Sequence, residues 1–147
     1  MSIWNRHQNC YAYAFNDPTE REWFNLQPGN ESGVHKRGQK ADYDCDLMRF
    51  RVLSDNGHDT FFLDDCEEVC PDGYHKIAMA VDPGTDYHFF RQDATGQWSH
   101  KLGKGKVYKM SIHPWESDRK FGRFHYTDFC GCLCTLSDGQ IGFGDAE

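Results

Sequence analysis

Two turn signals, spaced for an antiparallel meander, constrain this sequence most strongly. Asp82-Pro83-Gly84-Thr85-Asp86 and Asp93-Ala94-Thr95-Gly96 separate short runs rich in β-forming residues. Proline presets the torsion that the second turn position needs, glycine accepts positive φ, and aspartate bonds its own backbone two residues on. The flanking runs at 76–81, 87–92 and 97–102 predict three consecutive strands from Lys76 to Leu102. A loop that pairs Val81 with Tyr87 continues the ladder to set His75 opposite Asp93. It also sets His88 diagonally near His100 on the third strand. Val107 to Ile112 offers a fourth strand, and Phe61-Phe62-Leu63 a short earlier one.

Upstream, the signals are helical. A short helix is expected from Asn9 or Cys10 to Asn16, ended by Pro18, because the residue before proline avoids the helical region. Asp17-Pro18-Thr19-Glu20 then reads as a capping box opening a second helix with Trp23, Phe24 and Leu26, which stops at the turn Gln27-Pro28-Gly29-Asn30. Tyr43, Leu47, Phe50, Met48 and Val52 have helical spacing within a third stretch from about Lys40 to Leu53, and Asn56-Gly57 closes it. The expected fold is α+β, a single domain over 1–147 with N-terminal helices packed on an antiparallel β-meander. Beyond Phe124 the aromatics and cysteines suggest a packed strand or loop.

Eleven Phe, seven Tyr and four Trp are enough to fill a core in 147 residues. No apolar run approaches 18 residues, so an ordinary transmembrane helix, and with it a membrane partner, is not expected. The net charge is −7, and the basic clusters, His35-Lys36-Arg37 with Lys40 and Lys101 through Lys109, are short. Nucleic acid, which binds through clustered cations, is therefore a poor partner. Residues 1–7 are followed by no apolar stretch of the secretory kind, which points to the cytoplasm or to release by a non-classical or lysis route.

The seven cysteines are Cys10, Cys45, the pair Cys66-x3-Cys70 and the run Cys130-x-Cys132-x-Cys134. They allow three disulfides with one free thiol, or reduced cysteines that pack as small apolar groups, and the lack of a leader favours the second. Cys66 and Cys70 with the C-terminal run could also supply a structural zinc site.

Cys10 carries the leading chemical reading. A thiol at a helix N-terminus is lowered in pKa by the partial positive charge there. Asn5, Gln8 and Asn9 precede it and could donate to an oxyanion. The base would be His75, oriented by Asp93, or else His88 with His100 as its partner.

These residues resemble the papain-like thiol hydrolases: Asn9-Cys10 at a helix start, a histidine opening the strand Tyr74 to Val81, and a polar residue on the next strand. The short interval from Cys10 to His75, and the run Asn9-Cys10-Tyr11-Ala12-Tyr13-Ala14, are most similar to the compact CHAP-type amidases and peptidases (cysteine, histidine-dependent). The resemblance implies a papain-like fold and a cysteine peptidase or amidase acting through a thioester, with no cofactor. Its substrate would be a peptide or a peptidoglycan stem. It makes Cys10 the nucleophile, His75 the base and Asp93 the orienting group. A contrasting reading is a non-catalytic protein- or carbohydrate-binding module, stabilised by zinc or disulfides, with Trp4, Trp98 and Trp115 on its surface.

Overall fold

The computed structural model describes residues 3–21, 26–36, 43–103, 105–138 and 141. The meander forms with the expected register. Strands β2 (Tyr74–Asp82) and β3 (Asp86–Gln92) pair antiparallel with Val81 opposite Tyr87, and β4 (Trp98–Lys101) and β5 (Val107–Met110) extend the sheet. The strand beyond Phe124 is β8 (Asp128–Leu136), which does not lie at an edge. It inserts between β1 (Thr60–Phe62) and β2, giving a six-stranded antiparallel sheet of order β1-β8-β2-β3-β4-β5. A separate two-stranded ribbon, β6 (Lys120–Phe121) with β7 (Phe124–His125), precedes β8. The α+β class expected from the sequence is thus observed.

Helix α1 (Cys10–Ala14) is capped by Asn9, whose side-chain carbonyl accepts from the Ala12 amide at 3.0 Å. All five of its residues are buried, and Tyr11 stacks on Phe89 of β3 with centroids 5.2 Å apart. Residues 17–20 are not helical: the Asp17 carboxylate accepts from the Thr19 amide and ion-pairs with Arg21. Most of the helix expected to follow, including Trp23 and Phe24, lies outside the described residues. The turn after it is present, with the Asn30 amide bonded to the Gln27 carbonyl at 2.9 Å. Gly29 there has φ +96°, and an added Cβ would sit 2.6 Å from His35 Cβ. Helix α2 is Cys45–Asn56, starting later than the apolar spacing suggests because Asp44 is extended and caps the Leu47 amide. Its buried stripe is Met48, Val52 and Asp55, while Phe50 is exposed.

Strand alternation divides the core. Val81, Tyr87 and Phe89 face α1 and α2, together with Met48 and Val52. Ala78, Ala80, Phe90, Trp98, Tyr126 and Cys132 form the opposite layer. Trp98 is therefore a core residue rather than part of an exposed surface. Asp55, 1 % exposed, ties the helical side together. It accepts from the Tyr11 hydroxyl (2.7 Å), the Gly29 amide (2.9 Å) and the Ser32 amide (2.8 Å).

The cysteines are oxidised in pairs: Cys45–Cys130, Cys66–Cys132 and Cys70–Cys134, leaving Cys10 as a buried thiol. This overturns both the reduced-thiol expectation and the zinc reading, since the proposed ligands are consumed in bridges. Alternate residues of a strand share a face, so Cys-x-Cys-x-Cys would aim all three sulfurs one way. A bulge intervenes: the β2–β8 register shifts between Met79, opposite Gly131, and Ala80, opposite Phe129. Gly131 has φ +110° there, which a side chain would oppose. Cys130 is thereby turned to the helical layer and to Cys45 on α2, while Cys132 packs in the opposite layer.

The bridges close intervals of 85, 66 and 64 residues. In the chain-entropy view, a loop of this size is worth about 4 kcal/mol per bridge taken singly. Cys70→Ser with Cys134→Ser should therefore cost about 2–5 kcal/mol in urea unfolding of the oxidised protein. Asp55→Ala, which orphans two amides and a tyrosine hydroxyl, should cost about 3 kcal/mol in the same measurement. A loss below about 1 kcal/mol would mean that water replaces the carboxylate.

Candidate functional site

Cys10, at the first position of α1, opens onto a cavity of about 430 Å³ that Asn9, Asp86, Tyr87 and His88 also line. Its thiol is not activated. Burial pushes its pKa up to about 12, with the Asp86 carboxylate adding to the rise and backbone N–H groups of Phe89 and Tyr11 opposing it. A five-residue helix contributes too little positive potential to offset the loss of water. The group that meets Cys10 from β3 on its own side of the sheet is Tyr87, whose phenol is likewise held protonated by burial.

The three amides expected to serve an oxyanion are spent on the fold. Asn5 donates to Glu20 and accepts from the His7 amide. Gln8 donates to the Pro18 carbonyl (2.7 Å) and accepts from the Asn5 amide. Asn9 caps α1 and donates to the Leu26 carbonyl at 2.6 Å.

The expected His75–Asp93 pair is not brought into contact, although both residues border one cleft. The β2–β3 ladder ends one step earlier, at Lys76 opposite Gln92. His75 instead bonds the Ala14 carbonyl (2.7 Å) through Nε2 and the Ser137 hydroxyl (3.1 Å) through Nδ1. Asp93 folds back onto Thr95 and Gln97 in its own turn. The structure does bring His88 and His100 together, with Nε2 and Nδ1 2.8 Å apart. These two side chains, however, belong to the layer opposite α1, with Phe121 and Tyr126 around them. His88 reaches the Cys10 cavity where β3 and β4 part, beyond their two ladder pairs.

Burial lowers His88 well below the usual histidine range, and its neighbour His100 adds to that; burial alone brings His100 to about 4. Both rings are neutral at pH 7, one nitrogen donating to the other. The aromatic lining, Tyr43, Tyr87, Phe121, Phe124 and Tyr126, was not singled out from the sequence. Tyr43, Tyr87 and the group Phe121, Phe124 and Tyr126 lie far apart in the chain, and only the Asp82–Asp86 turn hints at the carboxylate among them.

The lowered histidine values fix the sign of a pH dependence. The unfolded chain takes up protons at about 6.5 and the folded one only at lower pH, so this stability is present above about 6.5 and lost as pH falls towards 4. Chemical denaturation at pH 7 and 4.5 should show the wild type losing at least about 1 kcal/mol more than His100→Phe. Equal losses would place the acid sensitivity elsewhere.

No family model matches the chain. No solved structure matches it either. Among curated proteins it is similar to insoluble matrix shell protein 1 of Ruditapes philippinarum. The two are 33% identical over 130 residues, covering 87% of this chain and 79% of the relative. A shell-matrix relative and three disulfides overturn the expectation of a cysteine peptidase or amidase, and with it the thioester mechanism. They also correct the cytoplasmic expectation, because such bridges persist in oxidising, extracellular surroundings. With that identity and coverage, the chain belongs to the family of insoluble matrix shell protein 1.

Proposed function

We propose that the protein is a non-catalytic structural domain of an extracellular matrix, which meets neighbouring protein or polysaccharide chains through its surface. The observation that carries this reading is the gathering of all three disulfides on β8, an interior strand. A fold pinned in this way keeps its shape in an insoluble assembly without chaperones or renewal. The matrix role named for the relative agrees with it. Surface for contact is present at the sheet's edge, where β5 carries the exposed Tyr108, and at Val69, Phe61 and Ile112. A papain-like origin of the scaffold is part of the proposal. It is supported by a helix that opens at Cys10 and packs on the antiparallel strands β3 and β4. The scaffold would keep that arrangement without a thiolate.

The test pairs sedimentation with chemistry. Oxidised full-chain protein should be retained by an insoluble polysaccharide–protein matrix, released on reduction, and retained equally by Cys10→Ala. Iodoacetamide should modify Cys10 at pH 8 at least about a hundredfold more slowly than a free thiol. Peptide and amide substrates should turn over no faster with wild type than with Cys10→Ala. Turnover that depends on Cys10 would sink the proposal.

A further inference from the structure

The cavity beside Cys10 combines two features that the matrix role does not use. Its walls are aromatic: the Tyr43 and Tyr87 rings lie 5.7 Å apart, and Tyr126 has Phe124 at 6.0 Å and Phe121 at 6.1 Å. Its polar anchor is Asp86, whose carboxylate accepts from the Tyr126 hydroxyl at 2.7 Å. Asp82 lies directly opposite Asp86 across the hairpin and adds negative charge.

Asp86 has no ion-pair partner among the described residues, where the one salt bridge joins Arg21 to Asp17. Among the described residues, the cations nearby are otherwise engaged. Arg123 acts weakly on Asp86 while its guanidinium lies over the Phe124 ring at 4.8 Å. Lys101 is fully buried and donates to the Gly103 carbonyl at 2.6 Å. Burial raises the Asp86 pKa, so its negative charge stands in surroundings that would gain from a counter-charge.

A carboxylate that shares a cavity with several aromatic rings is the chemistry that recognises organic cations, through charge pairing and cation–π attraction together. We infer that this cavity binds an alkylammonium group, primary or methylated, with its charge towards Asp86 and its carbons against Tyr43, Tyr87, Phe124 and Tyr126. An anion would meet the Asp86 carboxylate. A neutral sugar would use the rings but leave the carboxylate uncompensated. The inference goes beyond the matrix role and does not depend on it. The ammonium could be that of a free small amine or of a lysine side chain on a neighbouring protein.

The test uses the oxidised full-length chain, followed by NMR shifts of the aromatic side chains. Choline is titrated beside 3,3-dimethyl-1-butanol, its uncharged isostere. Choline should saturate, and the isostere should bind at least about tenfold more weakly. Asp86→Asn, whose amide oxygen can still accept from Tyr126, should weaken choline by at least about tenfold with an unchanged circular dichroism spectrum. Phe124→Leu, at a partly exposed position, should weaken it about threefold. A lysine-containing peptide that competes better than methylamine, and fails when its side chain is acetylated, would assign the source to a protein chain. The reverse order would assign it to a free amine. Equal binding of choline and its isostere, indifference to both substitutions, or no saturable binding by any of the amines would overturn the inference. None of these results alters matrix retention, so the two readings can fail separately.

Discussion

The structure depends on β8 being paired on both sides. It is the last described strand, yet it pairs with β1 on one side and with β2 along most of that strand's length on the other. The meander of β2 to β5 can form from local pairings, but its β2 edge stays open until β8 arrives. Closing contacts such as Ala78 with Cys132, more than fifty residues apart in the chain, is entropically slow and costly. The three bridges offset that cost, since each joins β8 to a segment well upstream. Gly131 lets the bulge form, and the bulge sends Cys130 to one layer and Cys132 to the other. One strand is thereby stapled to both faces of the sheet.

The same alternation decides what Cys10 can do. On β3, Tyr87 and Phe89 face α1 while His88 and Phe90 face away. Tyr87 holds the place on the α1 side where an imidazole would meet the thiol, and His88, which also lines the cavity, is paired with His100 in the opposite layer. Without an imidazole beside it, burial governs the sulfur, and the short helix cannot counter it. Asn9 illustrates how fully the region is committed to structure: one side-chain atom caps the helix and the other secures the Leu26 carbonyl.

Local signals in the sequence carried well. The Pro-Gly and Thr-Gly turns dictated the meander and even the Val81–Tyr87 register, because loop geometry and two-residue periodicity leave little freedom. The Gln27-Pro28-Gly29-Asn30 turn followed from torsion preferences in the same way. Non-local features did not carry. Gly131 alone hints at a bulge in the run 130–134, but that Cys130 becomes the extra residue, and which way it turns, is decided only once β2 and β8 meet. The place of β8 inside the sheet, the pairing of six cysteines and the aromatic cavity are likewise products of chain return. The Cys10 motif was legible as a pattern, but its thiol chemistry depends on burial and on strand facing, which a motif does not encode.

A scaffold arranged in this way can keep a cavity without keeping catalysis. The Cys10 hollow persists because its walls are structural: Tyr126 belongs to the core, Tyr87 packs under α1, and Asp86 begins β3. Filling it would require displacing groups that hold the sheet to its helix. Leaving it open leaves a half-buried carboxylate beside aromatic rings, an arrangement that is stable in water but improved by a cation. The stapling by β8 makes this tolerable, since bridges placed away from the cavity hold the fold that its imperfect packing would weaken.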